Sequence, residues 1–263
     1  MKANYHTHTS RCNHATGTER EYIETAIENG IKILGFSDHT PYMFGDEYSS
    51  HIRMKMNELE GYVTTILDLK KEYQKEIQIH LGLEVEYFAG FFDELYRELE
   101  QYPLEYMLLA THWYGNSHKT EPYFGICTED ERILANYYEQ VIEGMKRGCF
   151  TYFAHPDLVN YPSNTILYEE TMRKVCQASK QYDVPLEINL RGLRFGKQYP
   201  NPDFWKIVGE ERCKVVIGCD AHEPEELVCQ DVYQKAMKYV EENHLLLLDE
   251  IELRNPVKLF DKE

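Results

Sequence analysis

Close to the start of the chain stands His6-Thr7-His8, followed by His14. In an extended segment residues i and i+2 point to one face, so two imidazoles can be sent to the same place. Donor types recur in short pieces farther along: Ser37-Asp38-His39, Gly82-Leu83-Glu84-Val85-Glu86, Ala110-Thr111-His112-Trp113, Phe153-Ala154-His155-Pro156 and Gly218-Cys219-Asp220-Ala221-His222. Imidazole and carboxylate together suit Zn, Fe, Mn, Ni or Co. At a hydrolytic centre such an ion lowers the pKa of its bound water from 15.7 toward about 7, which makes a nucleophile available near neutral pH.

Each piece alone is weak. Two imidazoles at i and i+2 arise by chance on many strands, and a lone histidine at a strand end is usually a hydrogen-bonded structural residue. Their sorting is the informative feature. Of the eleven histidines, seven fall at or just beyond the ends of apolar runs. Burying that many titratable groups side by side costs several kcal/mol each unless something compensates, and cations do so. The candidate ligands are His6, His8, His14, His39, Glu84, His112, His155, Asp220 and His222, too many for one ion. His51, His80 and His244 read as surface or structural residues.

The elements that must position these donors are legible as alternation. Seven apolar runs, Ala3–His8, Ile31–His39, Ile77–Tyr87, Tyr106–His112, Phe150–His155, Pro185–Leu190 and Val215–His222, are separated by stretches at helical spacing. Thr18-Glu19-Arg20-Glu21 and Thr128-Glu129-Asp130-Glu131 are capping boxes, with Gly30 and Gly148 near the ends of the helices they open. Further helices are expected near 53–76, 90–101, 168–182 and 224–243. The run His244–Leu253 is expected to add a strand or cover one end. Strands alternating with helices imply parallel βαβ units, and this many close most economically into an α/β barrel. No linker interrupts the alternation, so 1–263 is expected to be a single domain. In such a barrel the carboxyl ends of the strands share one mouth, where active sites are built.

Composition narrows the partners. A formal charge of −17 argues against a nucleic-acid polymer. No apolar run reaches the roughly 18 residues of a membrane helix. Seven cysteines without a CxxC pair read as reduced thiols, and Met1-Lys2-Ala3-Asn4-Tyr5 lacks an apolar leader. A cytoplasmic location is the expectation.

The ordered motifs HTH at 6–8, His14, SDH at 37–39, GLE at 82–84, THW at 111–113, AHPD at 154–157 and GCDAH at 218–222 resemble the polymerase and histidinol phosphatase (PHP) superfamily. Glu187 to Arg194, Tyr199-Pro200 and Phe204-Trp205 look like its histidinol-phosphatase branch. The resemblance implies a distorted (β/α)7 TIM-like barrel with three divalent ions, Zn, Fe or Mn. By position, His6, His8, Glu84 and Asp220 would hold the first. Glu84 would bridge to a second, bound also by His112 and His155, and His14, His39 and His222 would hold the third. Glu84, Asp220 and His222 would be catalytic through the ions they hold. Arg191 departs from the branch, which has a small polar residue there.

The resemblance further implies a small phosphate monoester as partner, specifically hydrolysis of L-histidinol phosphate in histidine biosynthesis, by attack of a hydroxide bridging two ions. Arg194 is the first expectation for gripping phosphate and Arg191 the second. Glu86, on the face of Glu84, would bind a substrate ammonium or support a ligating histidine. Asp38 and Asp157 share that ambiguity, and His118 could reach substrate from a loop. The alternatives are a PHP phosphoesterase for another small ester, nucleotide or phosphotyrosine; an amidohydrolase barrel, which Glu84 and the Asp220–His222 pair disfavour; and a non-catalytic module, which the complete ligand set disfavours. The oligomeric state is not legible.

Overall fold

Aliphatic and aromatic runs, buried along most of their length except in the last, half-exposed pair, lie as parallel strands in chain order. They are β1 (Ala3–Asn4), β2 (Ile33–His39), β3 (Gln78–Glu86), β4 (Tyr106–Ala110), β5 (Tyr152–Phe153), β6 (Leu186–Asn189), β7 (Lys214–Gly218) and β8 (Leu246–Leu247), each hydrogen-bonded to the next. The computed structural model describes residues 1–45, 48, 50–114 and 123–256. Helices α1 (Glu19–Glu28), α2 (Met56–Glu72), α3 (Phe92–Leu99), α4 (Glu131–Lys146), α5 (Thr165–Tyr182), α6 (Leu190–Phe195), α7 (Pro202–Glu211) and α8 (Gln230–Glu242) follow the strands. This is the curled α/β, TIM-like architecture expected.

The register decides where the donors meet. His39 lies opposite Glu84, and Glu86 opposite Ala110, two residues before His112. Beyond β1 and β7 the chain makes one more parallel bridge, Thr7 with Ala221, in which His8 N donates to Ala221 O at 2.9 Å. That bridge brings the first strand to the seventh at the mouth, between His6/His8 and Asp220/His222. β8 pairs with β7 at the opposite end. There Leu248, Ile251 and Leu253 pack on Tyr5, Ile33, Tyr106 and Tyr152, so the last apolar run both adds a strand and covers the far end.

Thr18 forms its capping box, donating Thr18 N to Glu21 Oε2 at 2.6 Å. Thr128 does not cap α4. Asp130 takes Arg132 N at 2.9 Å instead, and Thr128 Oγ1 accepts from Asp130 N. A carboxylate two residues nearer the apolar face satisfies the orphan amides as well as a hydroxyl and adds charge to the positive helix end. Helices α6 and α7 lie outside the helical stretches that spacing marks, although Asn201-Pro202 is a cap followed by a first-turn proline. Among the described residues no helix is long and apolar enough to cross a membrane.

Candidate metal centre

The nine donors converge at the carboxyl ends of the strands. His6 and His8 leave β1, His39 ends β2, Glu84 lies in β3, His112 follows β4, His155 follows β5, and Asp220 and His222 follow β7. Glu84 is the hub. Its Oε1 lies 3.0 Å from His155 Nε2, 3.5 Å from His6 Nε2 and 3.7 Å from His112 Nε2. Its Oε2 lies 2.7 Å from His39 Nδ1 and 3.7 Å from His8 Nε2. Asp220 Oδ1 sits 3.2 Å from His8 Nε2 and 3.6 Å from His6 Nε2. His14 and His222 bring their Nε2 atoms within 3.0 Å of each other.

These atoms fall into sets with ligand spacing: His6, His8 and Glu84; His6, His155 and Asp220; Glu84, His112 and His155; and His14, His39 and His222. The test of fit is polar satisfaction. His6 Nε2, His8 Nε2, His39 Nδ1, His155 Nδ1 and Glu84 Oε2 are buried and have no hydrogen-bond partner among the described residues, and each such atom costs about 1–3 kcal/mol unless something binds it. Even the 2.7 Å approach of His39 Nδ1 to Glu84 Oε2 lacks hydrogen-bond geometry. Unpartnered atoms gathered on Glu84, with His6 Nε2, His8 Nε2 and His39 Nδ1 within 3.5, 3.7 and 2.7 Å of its oxygens, fit divalent cations. Two donors, His155 at φ 34° and Asp220 at φ 52°, sit in the left-handed region, where a non-glycine residue costs of order 1–3 kcal/mol. Strain of that kind persists where surrounding contacts over-determine it.

Behind the donors stand buried carboxylates. Glu187 takes His6 Nδ1 at 2.8 Å and His155 N at 3.0 Å. Asp38 lies 3.4 Å from His8 Nδ1 and accepts from Thr9 Oγ1 and His39 N. Glu86 takes His112 Nδ1 at 2.8 Å. A carboxylate on one ring nitrogen fixes the tautomer and presents the other to a metal. Of these three, Glu187 is marked in the sequence only as part of a motif; its place two residues before Asn189 in β6 is the available signal. Gly218 makes the approach of Glu187 possible, since a Cβ there would run into Glu187 Oε1 and crowd the His6 Cβ. Gly218→Ala is therefore expected to weaken metal binding about 10-fold or more, measured by competition with a chelator, whereas Gly61→Ala, in α2 with open space around it, leaves it unchanged.

Protonation follows from this packing. Burial drives protons off His6, but Glu187, Asp220 and Glu84 overcome it and raise the imidazole to about 10. His8 likewise rises well above its usual value against burial, through Asp220 and Asp38. Burial and the charge on His8 push His39 and His222 well below theirs. Burial would raise Glu84 and Asp220, yet the surrounding imidazoles hold both well below the carboxylate range. Protons on His6 and His8 thus supply the positive charge the carboxylates demand, a charge a metal ion would supply instead.

A cavity of about 380 Å³ opens over the cluster, bordered by His14, His39, His112, His155 and His222, by the rings of Trp113, Tyr123 and Tyr199, and by Arg191 and Lys197. Arg194 is not part of that border. Its Nη2 donates to the carbonyls of Glu226 at 2.6 Å and Val228 at 3.4 Å, because the turn of α6 points it toward the segment before α8. Arg191, three residues earlier, reaches the mouth and is held there by both oxygens of Glu226, at 2.8 and 2.7 Å from Nη1. Glu86 is not free for a substrate ammonium: it is fully buried, and its oxygens accept from His112 N, Trp113 N, His112 Nδ1 and Arg53 Nη2. Asp157 turns away from the centre and accepts from Asn201 N and Trp205 Nε1 at the start of α7. His118 lies outside the described residues. Cys12 carries no metal-ligand signal in the sequence, yet its sulfur is within ligand spacing of His8 and His222.

Known proteins resemble this chain in sequence and fold. The PHP domain family matches residues 4–191. A "Histidinol-phosphatase" from Bacillus subtilis is 26% identical over 254 residues, covering 85% of this chain and 94% of that protein. A "Probable histidinol-phosphatase" from Deinococcus radiodurans is 29% identical over 228 residues, covering 84% and 86%. The crystal structure of histidinol phosphate phosphatase from Lactococcus lactis, complexed with Zn, L-histidinol and phosphate, superposes with a TM-score of 0.72 at 19% identity and covers 94% of this chain and 95% of that one. With more than half its length matched, the chain belongs to the PHP domain family.

Proposed function

We propose that the protein is a metal-dependent phosphomonoesterase that hydrolyses L-histidinol phosphate to L-histidinol and inorganic phosphate, a step of histidine biosynthesis. The observation that carries the proposal is Glu84 within reach of five imidazoles, with His6 Nε2, His8 Nε2 and His39 Nδ1 beside it unpartnered, under a cavity edged by a guanidinium. The names of the curated relatives support the substrate. His6, His8, Asp220 and Glu84 would hold one divalent ion, Glu84, His112 and His155 a second, and His14, His39 and His222 a third. Bound there, the ions supply an activated water and offset charge on the phosphate oxygens.

The chain's own groups do the rest. Glu187, Asp38 and Glu86 hold the imidazoles in the tautomer that presents a lone pair. Arg191, tethered by Glu226 through Nη1, turns its other edge to the phosphate, where a planar fork suits two oxygens. Lys197 adds charge at the rim, and Trp113, Tyr123 and Tyr199 wall the cavity and limit water. A net charge of −17 does not repel a small anion from a mouth that concentrates cations. One domain over 1–263 is supported by the unbroken strand order, and a cytoplasmic site by the free cysteines.

Steady-state assays of the Zn- or Mn-loaded protein test the substrate. Histidinol phosphate should be turned over well ahead of phosphotyrosine and nucleoside monophosphates. Negligible turnover of it beside good turnover of those esters would reject the substrate and keep the phosphoesterase. Arg191→Met should raise KM about 10-fold, the value of a charge-assisted hydrogen bond pair, with metal content unchanged. Arg194→Met should change KM less than about threefold, because its hydrogen bonds go to backbone carbonyls.

A further inference from the structure

Arg53 lies in the coil before α2 and is only 4% exposed. Removing a guanidinium from water is costly unless a partner holds it. Its Nη2 donates to Glu86 Oε2 at 3.1 Å, and the faces of Tyr42 and Phe88 lie 5.8 and 6.0 Å from its Cζ. Nη1 is buried with no partner among the described residues. The side chain is therefore kept at depth by one carboxylate and two rings.

That carboxylate is the support of a metal-ligand candidate. The oxygen that accepts from Arg53 also accepts from His112 Nδ1 at 2.8 Å, and its twin accepts the amides of His112 and Trp113 at 2.5 and 3.1 Å. Tyr42 OH donates to the Glu86 carbonyl, so the ring flanking Arg53 grips the same residue. On its main-chain side, Arg53 O accepts from Asn13 Nδ2 at 3.0 Å, one residue before His14. A single position thus touches the supports of donors in two different sets.

We propose that Arg53 is a positioning residue of the metal centre. Its guanidinium fixes the plane of the Glu86 carboxylate and through it the aim of His112 Nε2 toward Glu84 and His155, while its carbonyl anchors the loop that bears His14. This rests on the ligand assignment above. Without the guanidinium, Glu86 keeps its backbone amides but loses the contact that opposes rotation of Oε2 away from the ring.

The test is titration of chelator-stripped protein with Zn²⁺, followed by calorimetry and by metal content after dialysis, for the wild type, Arg53→Met, Arg53→Lys, Glu86→Gln and the Arg53→Met/Glu86→Gln pair. Arg53→Met should weaken binding of the His112-side ion about 10–100-fold, the usual effect of removing support from a ligand. Arg53→Lys, which keeps charge without the fork, should fall between. The double variant should bind no worse than Glu86→Gln, because Arg53 acts through Glu86. Unchanged Zn²⁺ affinity in Arg53→Met, with a lower melting temperature of the metal-free protein, would assign Arg53 to packing and overturn the proposal; should that variant not fold, wild-type affinity in Arg53→Lys together with full additivity in an Arg53→Lys/Glu86→Gln pair does so. A wild type that takes up no Zn²⁺ overturns the ligand assignment itself, before any variant is compared.

Discussion

Glu84→Gln is expected to lower kcat/KM for a phosphate ester by about 10³ while the protein stays folded. The carboxylate serves two donor sets at once, with Oε1 toward His6, His112 and His155 and Oε2 toward His8 and His39. Glutamine keeps the shape but replaces one anionic oxygen with an NH2 group that cannot ligate and that points donors at imidazole nitrogens. Losing an ion's Lewis acidity removes several kcal/mol of transition-state stabilisation, and each 1.36 kcal/mol is about tenfold in rate. Kinetics paired with elemental analysis check this. Activity within about tenfold of wild type at full metal content would show that Glu84 is not the shared ligand.

The metal-free protein should be most stable near pH 6.5 and the metal-loaded protein well above it. His6 is raised to about 10 and His8 is also raised; their contribution is complete below the unfolded imidazole value, about 6.5, and disappears as pH climbs toward 10. His39 and His222 are lowered, so below about 6.5 the unfolded chain gains protons that the folded chain refuses, and stability falls. Glu84 and Asp220 are lowered as well; their contribution is present above the ordinary carboxylate range and fades as pH drops through it. Metal must displace the protons on His6 and His8, so its affinity rises with pH across the same interval that weakens the empty site. At about 1,000-fold excess over Kd a bound ion adds about 4 kcal/mol, roughly 10 °C for a chain of this size. Calorimetric scans from pH 5 to 9 with and without Zn²⁺ should show that gap widening with pH. A constant gap would mean that no protons leave when metal binds.

Much of the centre was legible because the fold turns chain order into spatial order. A donor at the end of any strand of a parallel barrel faces the same mouth, so His39, His112 and His155 could be gathered without knowing a single distance. Glu84 and Asp220 were legible for the same reason, as carboxylates at the level of those histidines. The substrate side was less so. Arg191 and Arg194 are three apart on one short helix, and which one faces the cavity depends on how α6 docks against the segment carrying Glu226, a contact between positions 32 and 35 residues apart. Periodicity along α6 says only that they share a face, not where that face is turned.

Strand identity, the donor types and their level at the mouth were determined by the amino-acid sequence itself, since apolar alternation and side-chain chemistry are local properties that no partner has to supply. The tertiary structure alone decided the outer layer: Glu187 behind His6, Asp38 behind His8, Glu86 and Arg53 behind His112, and Asp157 turned away toward α7. A buried carboxylate finds whichever donor the packing brings within about 3 Å, and those donors come from segments distant in the chain, whose meeting is fixed by register and closure rather than by anything in the neighbouring residues.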